Sequence, residues 1–261
     1  MRLALGPSPH RELRDVTAAL VRDKGGWQSV RIGGAYANGS RLDISLLPSA
    51  DGAWKLHVGS DNLGAGLGLF GIADNVVGGK LTIDGTVTEA GGHRIAHAHV
   101  DGTDYNLVRA PALAKLLSLA SLDGVYGLMS GSGIPFTNLR GDLTFSQGRI
   151  TLDPMIGFGG ALGVTAKGWL NPGEDQIDID GTLAPAYVLN SIIGDLPVIG
   201  SLLTGGEGQG LFAAAFRLTG SNDDPTVTVN PLSALTPGLL RHLFDPLVGT
   251  SQIPPTQQAQ H

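Results

Sequence analysis

Strict alternation of apolar and polar residues is the feature that most constrains this chain. It recurs at Leu42, Ile44 and Leu46; at Trp54, Leu56 and Val58; and at Leu81, Ile83 and Val87. Further along it returns at Val164, Ala166 and Leu170; at Ile177, Ile179 and Leu183; at Phe212, Ala214, Phe216 and Leu218; and at Val227 and Val229. Residues such as Thr82, Asp84, Thr165, Lys167, Asp178 and Asp180 fill the intervening positions. A period of two sends successive side chains to opposite faces, so these segments specify strands of a sheet with one dry and one wet face. The runs "ADGAW", "SQGR" and "NPGED" supply turns, and the sheet is expected to be long and largely antiparallel.

Composition fits that reading. Glycine, at 40 of 261 residues, is about twice its usual ~7% share, and charged residues, at 15%, fall below the usual ~25%. The net charge of −6, with no cluster of Lys or Arg, argues against nucleic acid and against a purely electrostatic hold on anionic lipid. No cysteine is present, which removes disulfides, thiolate chemistry and cysteine-based zinc sites. The start, "MRLALGPSPHRELRD", carries no apolar run of secretory length, so export would require a signal upstream.

Helical patterns are fewer and apolar. Pro111 opens "APALAKLLSLASL", which sets Leu113, Leu116, Leu117 and Ala120 on one stripe. "LNSIIGDLPVIGSLLTGGEGQG" is broken by Pro197 and Gly200 and is too short to span a bilayer. It reads as two pieces, Tyr187–Ile193 and Val198–Leu203, presenting Ile192, Ile193, Val198, Ile199, Leu202 and Leu203 to a core or a lipid. In "NPLSALTPGLLRHLFDP", Asn230-Pro231 and Thr236-Pro237 are start signals, with Leu240, Leu243 and Phe244 on one face. Residues 11–23 fit a surface helix with Leu13, Val16, Ala19 and Leu20 inward. The domain is expected to run over residues 1–246, with 247–261 a disordered tail rich in Gln and Pro. One echo stands out: "TIDGTV" at 82–87 returns as "DIDGTL" at 178–183.

No catalytic constellation emerges, and the expectation is a protein that is not an enzyme and holds neither metal nor cofactor. His93, His97, His99 and Asp101 share one parity of a strand, a spacing open to zinc, but Ala96, Ala98 and Val100 make the dry side and leave the histidines on the wet one. "GAGLGLFG" at 64–71 lacks the third glycine of a dinucleotide loop, and "TGGEGQG" lacks the Lys of a phosphate loop. Both read as glycine-rich turns.

The segments at 59–85, 108–136 and 183–244, with runs such as "SLASLDG", "LTGG" and "VNPLSAL" in one order, resemble the carboxyl-terminal region of AsmA-like bacterial envelope proteins of the YhdP type, relatives of bridge-like lipid transporters. The resemblance implies that this long sheet is curved into an open β-taco-like trough with apolar helices at its rim or end. It implies a non-catalytic module that binds or conducts phospholipid acyl chains, as the terminal part of a protein carrying lipid from inner to outer membrane. It further implies a periplasmic location, attachment to the inner membrane through a segment not present in this chain, and contact with the outer membrane surface. The lipid-binding residues expected on this basis are Ile83, Leu116, Leu117, Ile177, Ile179, Ile192, Ile193, Val198, Ile199, Leu202, Leu203, Phe212, Phe216, Leu240, Leu243 and Phe244. The competing expectation is an envelope scaffold that binds protein partners without lipid.

Overall fold

The computed structural model describes residues 3–4, 12–23, 26–108, 133–185, 213–222 and 224–232. Among them the chain is mainly β, with one short helix. The strands are β1 (Leu3–Ala4), β2 (Glu12–Asp23), β3 (Gly26–Ala35), β4 (Arg41–Pro48), β5 (Trp54–Ser60), β6 (Val76–Ala90), β7 (His93–Leu107), β8 (Ile134–Ser146), β9 (Arg149–Phe158), β10 (Leu162–Asn171), β11 (Gln176–Pro185), β12 (Ala213–Gly220) and β13 (Pro225–Leu232). Each pairs antiparallel with its sequence neighbours, and the spatial order equals the chain order. The two-residue β1 only tips the edge of β2, so the body of the sheet is the ladder from β2 to β13, which is not closed into a barrel.

Turn chemistry sets the registers at one end of the sheet. Gln147 and Gly148 both take positive φ, 51° and 80°, which matches the strand twist and closes β8 on β9 in two residues. Asn171 caps the "NPGED" turn by accepting the Gly173 amide at 3.2 Å. All the longer connections leave from the opposite end: the one between β5 and β6, and residues 109–132 and 186–212.

Two sequence expectations are overturned here. Residues 12–23 form a strand, not a surface helix. Asp15 has φ of 50° and the pairing with β3 shifts register between Arg14 and Thr17, so a bulge moves the apolar positions from odd to even numbers along β2. Leu13 and Leu20 then share a face although seven residues separate them, and that spacing imitates a helix. Asn230 and Pro231 end β13 and start no helix before Leu232. The expected helices at 111–122, 187–193, 198–203 and 236–244, and the tail at 247–261, lie outside the described residues.

The glycine-rich run read as a turn contains the helix α1 (Leu63–Leu69). Asn62 caps it, its side chain accepting the Ala65 amide at 2.9 Å. Three of its seven residues are glycine, each costing about 1 kcal/mol against alanine in a helix, so tertiary packing must hold it. Leu63 is fully buried against β6 and β7, while Leu69 joins Leu13, Tyr36 and Leu42 in a second cluster over β2 to β4. Gly64 permits this approach, because any side chain there would run into the Val76 backbone.

Candidate functional site

Register turns the alternation of single strands into rows that cross the sheet. One row runs Leu20, Val30, Leu46, Leu56, Gly85, Ala98, Leu143, Leu152, Gly168, Ile179, Leu218, Val227, each opposite the next on the neighbouring strand. No polar side chain interrupts it from β2 to β13. A parallel row runs Val87, Ala96, Phe145, Ile150, Leu170, Ile177. The candidate site is this continuous apolar face.

Exposure varies along the strands. Ile134, Leu162 and Leu183, at the end bearing the long connections, are fully buried. Toward the hairpin end, Leu143, Ile150, Leu152, Ile177, Leu218 and Val227 are only partly covered, and Phe145 is 45% exposed. Apolar area left in contact with water is worth roughly 25 cal/mol per Å² to any ligand that covers it, so the hairpin half of the face is where an apolar molecule gains most.

Glycines punctuate that face. Gly85, Gly102, Gly141, Gly168 and Gly181 lie on it in strands β6, β7, β8, β10 and β11. On an ordinary pleated strand a Cβ stands clear of its neighbours' backbone. At Gly181, however, an added Cβ would run into the Thr165 carbonyl oxygen and the Phe216 ring. At Gly85 it would meet the His97 carbonyl and come within 2.8 Å of the Ala98 Cα. These two are the glycines of the repeated Ile-Asp-Gly-Thr motif, so the echo in sequence marks two places where adjacent strands crowd together on the apolar side.

Of the residues expected to bind lipid, Ile83, Ile177, Ile179 and Phe216 lie on this one face. Ile83 pairs between Val58 and Val100, and Phe216 sits between Gly181 and Val229. Ile179 and Phe216 are buried within the cluster, whereas Ile83 and Ile177 are partly covered. Leu116, Leu117, Ile192, Ile193, Val198, Ile199, Leu202, Leu203, Phe212, Leu240, Leu243 and Phe244 lie outside the described residues. Sequence reasoning missed α1 on this face, although Asn62 as a cap and the four-residue step from Leu63 to Leu67 were readable signals.

The opposite face is polar and cross-paired. His57 Nδ1 lies 2.7 Å from Asp84 Oδ1, and His99 Nδ1 lies 2.8 Å from Asp142 Oδ1. Both histidines are close to half exposed, and His97 instead bonds Thr144 Oγ1 at 2.9 Å. Arg140 Nε reaches Asp101 at 3.0 Å, and Arg217 bridges Asp178 and Asp180. Among the described residues no group of three or more His, Cys, Asp or Glu side chains is arranged to hold a metal ion. Thr165 departs from the wet pattern: it is buried and accepts the Thr182 amide at 3.1 Å, bracing β10 on β11.

Polar groups are rare on the apolar side. Tyr36 and Ser60 share a hydrogen bond of 3.0 Å beneath α1, and desolvation raises the Tyr36 phenol above its ordinary pKa. Burial pushes the Tyr105 phenol well above its ordinary range too, where its ring stacks on Phe136 with centroids 5.2 Å apart. Both phenols stay neutral at physiological pH. Neither is an acid or base suited to proton transfer there.

No family model, curated protein or solved structure matches this chain. Among the described residues no helix is long and apolar enough to cross a membrane.

Proposed function

We propose that the apolar face of the β2–β13 ladder holds lipid acyl chains and that the sheet curls around them as an open trough. The observation that carries this reading is the uninterrupted apolar row across all the strands of the ladder, partly open at the hairpin end. A protein that needed this surface only as core would be expected to cover it with a second layer, because a sheet with one apolar face must bury it. Among the described residues the one helix covers only the ends of a few strands.

Two further features support the curl. The crowding at Gly85 and Gly181 is what bending toward the apolar side produces, with glycine removing the side chain that would resist it. Asn222, in the hairpin between β12 and β13, donates from Nδ2 to the Ile72 carbonyl just before β6 at 3.3 Å. Strands β6 and β12 stand six apart in the ladder, roughly 29 Å in a flat sheet, so a flat arrangement could not make that bond.

In this reading the chain is a non-catalytic module of the bacterial envelope. It works in the periplasm as the terminal part of a protein that passes phospholipid between membranes and is anchored to the inner one through a segment outside this chain. Its partners are phospholipid, the outer membrane surface and other envelope proteins. Those wider statements rest on the resemblance of segments 59–85, 108–136 and 183–244.

The scaffold alternative draws on the fully buried Ile134, Leu162 and Leu183, which behave as ordinary core at the other end. The two readings separate on one measurement. Organic extraction and mass spectrometry of the chain purified from a bacterial host should yield phospholipid at close to one molecule or more per chain. A lipid-free preparation that also takes up none from vesicles would favour the scaffold.

A further inference from the structure

The helix α1 does something odd for a structural element: it is poor in helix-forming residues, carries no charge and lies directly on the apolar face. Leu63 enters a notch walled by two glycines. A Cβ on Gly102 would stand 2.6 Å from Leu63 Cδ1, and one on Gly79 would stand 3.2 Å from Leu63 Cβ. The notch holds an aliphatic side chain, and Leu81, Ile134 and Leu139 belong to the same cluster. Beside α1, an open cavity of about 510 Å³ lies among Glu12, Tyr36, Asn38, Gly64, Gly68 and Val77. The helix therefore has space beside it. Its return to the sheet runs through residues 70–75, where Gly71 takes positive φ, 68°, and pairing with β7 begins only at Val76.

From these observations we infer that α1 is a resident occupant of the acyl-chain groove, a lid whose Leu63 fills the notch at Gly79 and Gly102 until a lipid chain end displaces it. The inference rests on the acyl-chain reading given above and names the regulation of that site. An aliphatic side chain and a fatty-acyl end compete for the same apolar contacts, so loading exchanges one for the other and the notch is never left wet. Leu63 leaves the notch only if the whole helix moves toward the cavity, which breaks the Asn62 cap and withdraws Leu69 from its cluster.

The protein contains no cysteine, which makes a specific clamp simple to build. A Cβ on Gly66 would lie 3.6 Å from Ser60 Oγ, so Ser60→Cys with Gly66→Cys places a disulfide between α1 and β5. Titration of the intact chain with the fluorescent fatty acid cis-parinaric acid should show at least tenfold weaker binding in the oxidised clamp, restored by reduction. Leu63→Ala, which empties the notch, should bind the probe several-fold more tightly than the parent. Equal binding by the oxidised clamp, the reduced clamp and Leu63→Ala would overturn the lid.

A measurement without lipid keeps the two readings separable. Hydrogen exchange should show the amides of 66–72 opening at least tenfold faster than those of 81–87 in β6. If they open together with β6, α1 is fixed core and the lid is wrong, whatever the protein binds. If α1 opens alone and the parent takes up no probe, the lid stands as a local opening and the acyl-chain reading falls.

Discussion

Replacing Gly181 by alanine is expected to destabilise the protein by about 3 kcal/mol, the upper part of the usual range for overpacking a tight site. The added methyl would meet a backbone oxygen, Thr165, which cannot rotate away, and the Phe216 ring, which could yield only by leaving the cluster. The registry Ala166–Gly181–Phe216 would have to spread, and with it the pairing of β10, β11 and β12. Urea unfolding should show a lower midpoint with little change in slope. Adding Phe216→Ala should recover only part of the loss caused by the methyl, because the Thr165 contact remains. Full tolerance of alanine at 181 would mean that β11 does not crowd its neighbours there, and the argument for a curled sheet would lose its main support.

Leu183→Asp should have a larger effect. Leu183 is fully buried between Val164 and Ala214, with no cation among the described residues placed to meet a carboxylate on that face. Removing a buried leucine costs about 2–5 kcal/mol, and an unpaired polar group in its place adds to that. The sum reaches the whole stability of an ordinary domain, about 5–15 kcal/mol, so cooperative unfolding by heat should be lost or shifted by tens of degrees. Lys167→Asp, on the exposed polar face of the neighbouring strand, should stay within about 0.5 kcal/mol of the parent. Similar losses for the two would contradict the assignment of faces.

That assignment was legible in the sequence wherever a strand keeps its period. Trp54 to Val58, Leu81 to Val87 and Ile177 to Leu183 alternate without interruption, and their inward residues are those that the sequence marks. Legibility failed where a bulge or a glycine intervened. In β2 the bulge at Asp15 converts a two-residue period into a stripe that imitates a helix. In α1 the glycines suggested a turn because intrinsic propensity disfavours a helix, and only packing against Gly79 and Gly102, distant in sequence, overrides it. The repeated Ile-Asp-Gly-Thr was visible as a repeat. Its meaning was not, because the crowding of Gly85 and Gly181 depends on what the next strand brings opposite them. The row across the ladder is likewise a property of register, which no single strand contains.

The central claim is that one face of this sheet, and not the other, holds acyl chains. It is tested most directly by placing a photo-reactive amino acid singly at Ile83, Ile177 and Ile179 on the apolar face and at Lys167 and Asp178 on the polar face, then irradiating the protein with phospholipid vesicles. Adjacent residues of a strand face opposite ways, so Asp178 and Ile179 share a strand and a depth and differ only in side. The account predicts lipid adducts at Ile83 and Ile177, a weaker one at the more buried Ile179, and none above background at Asp178 or Lys167. Equal labelling of both faces, or labelling confined to the polar one, would contradict it.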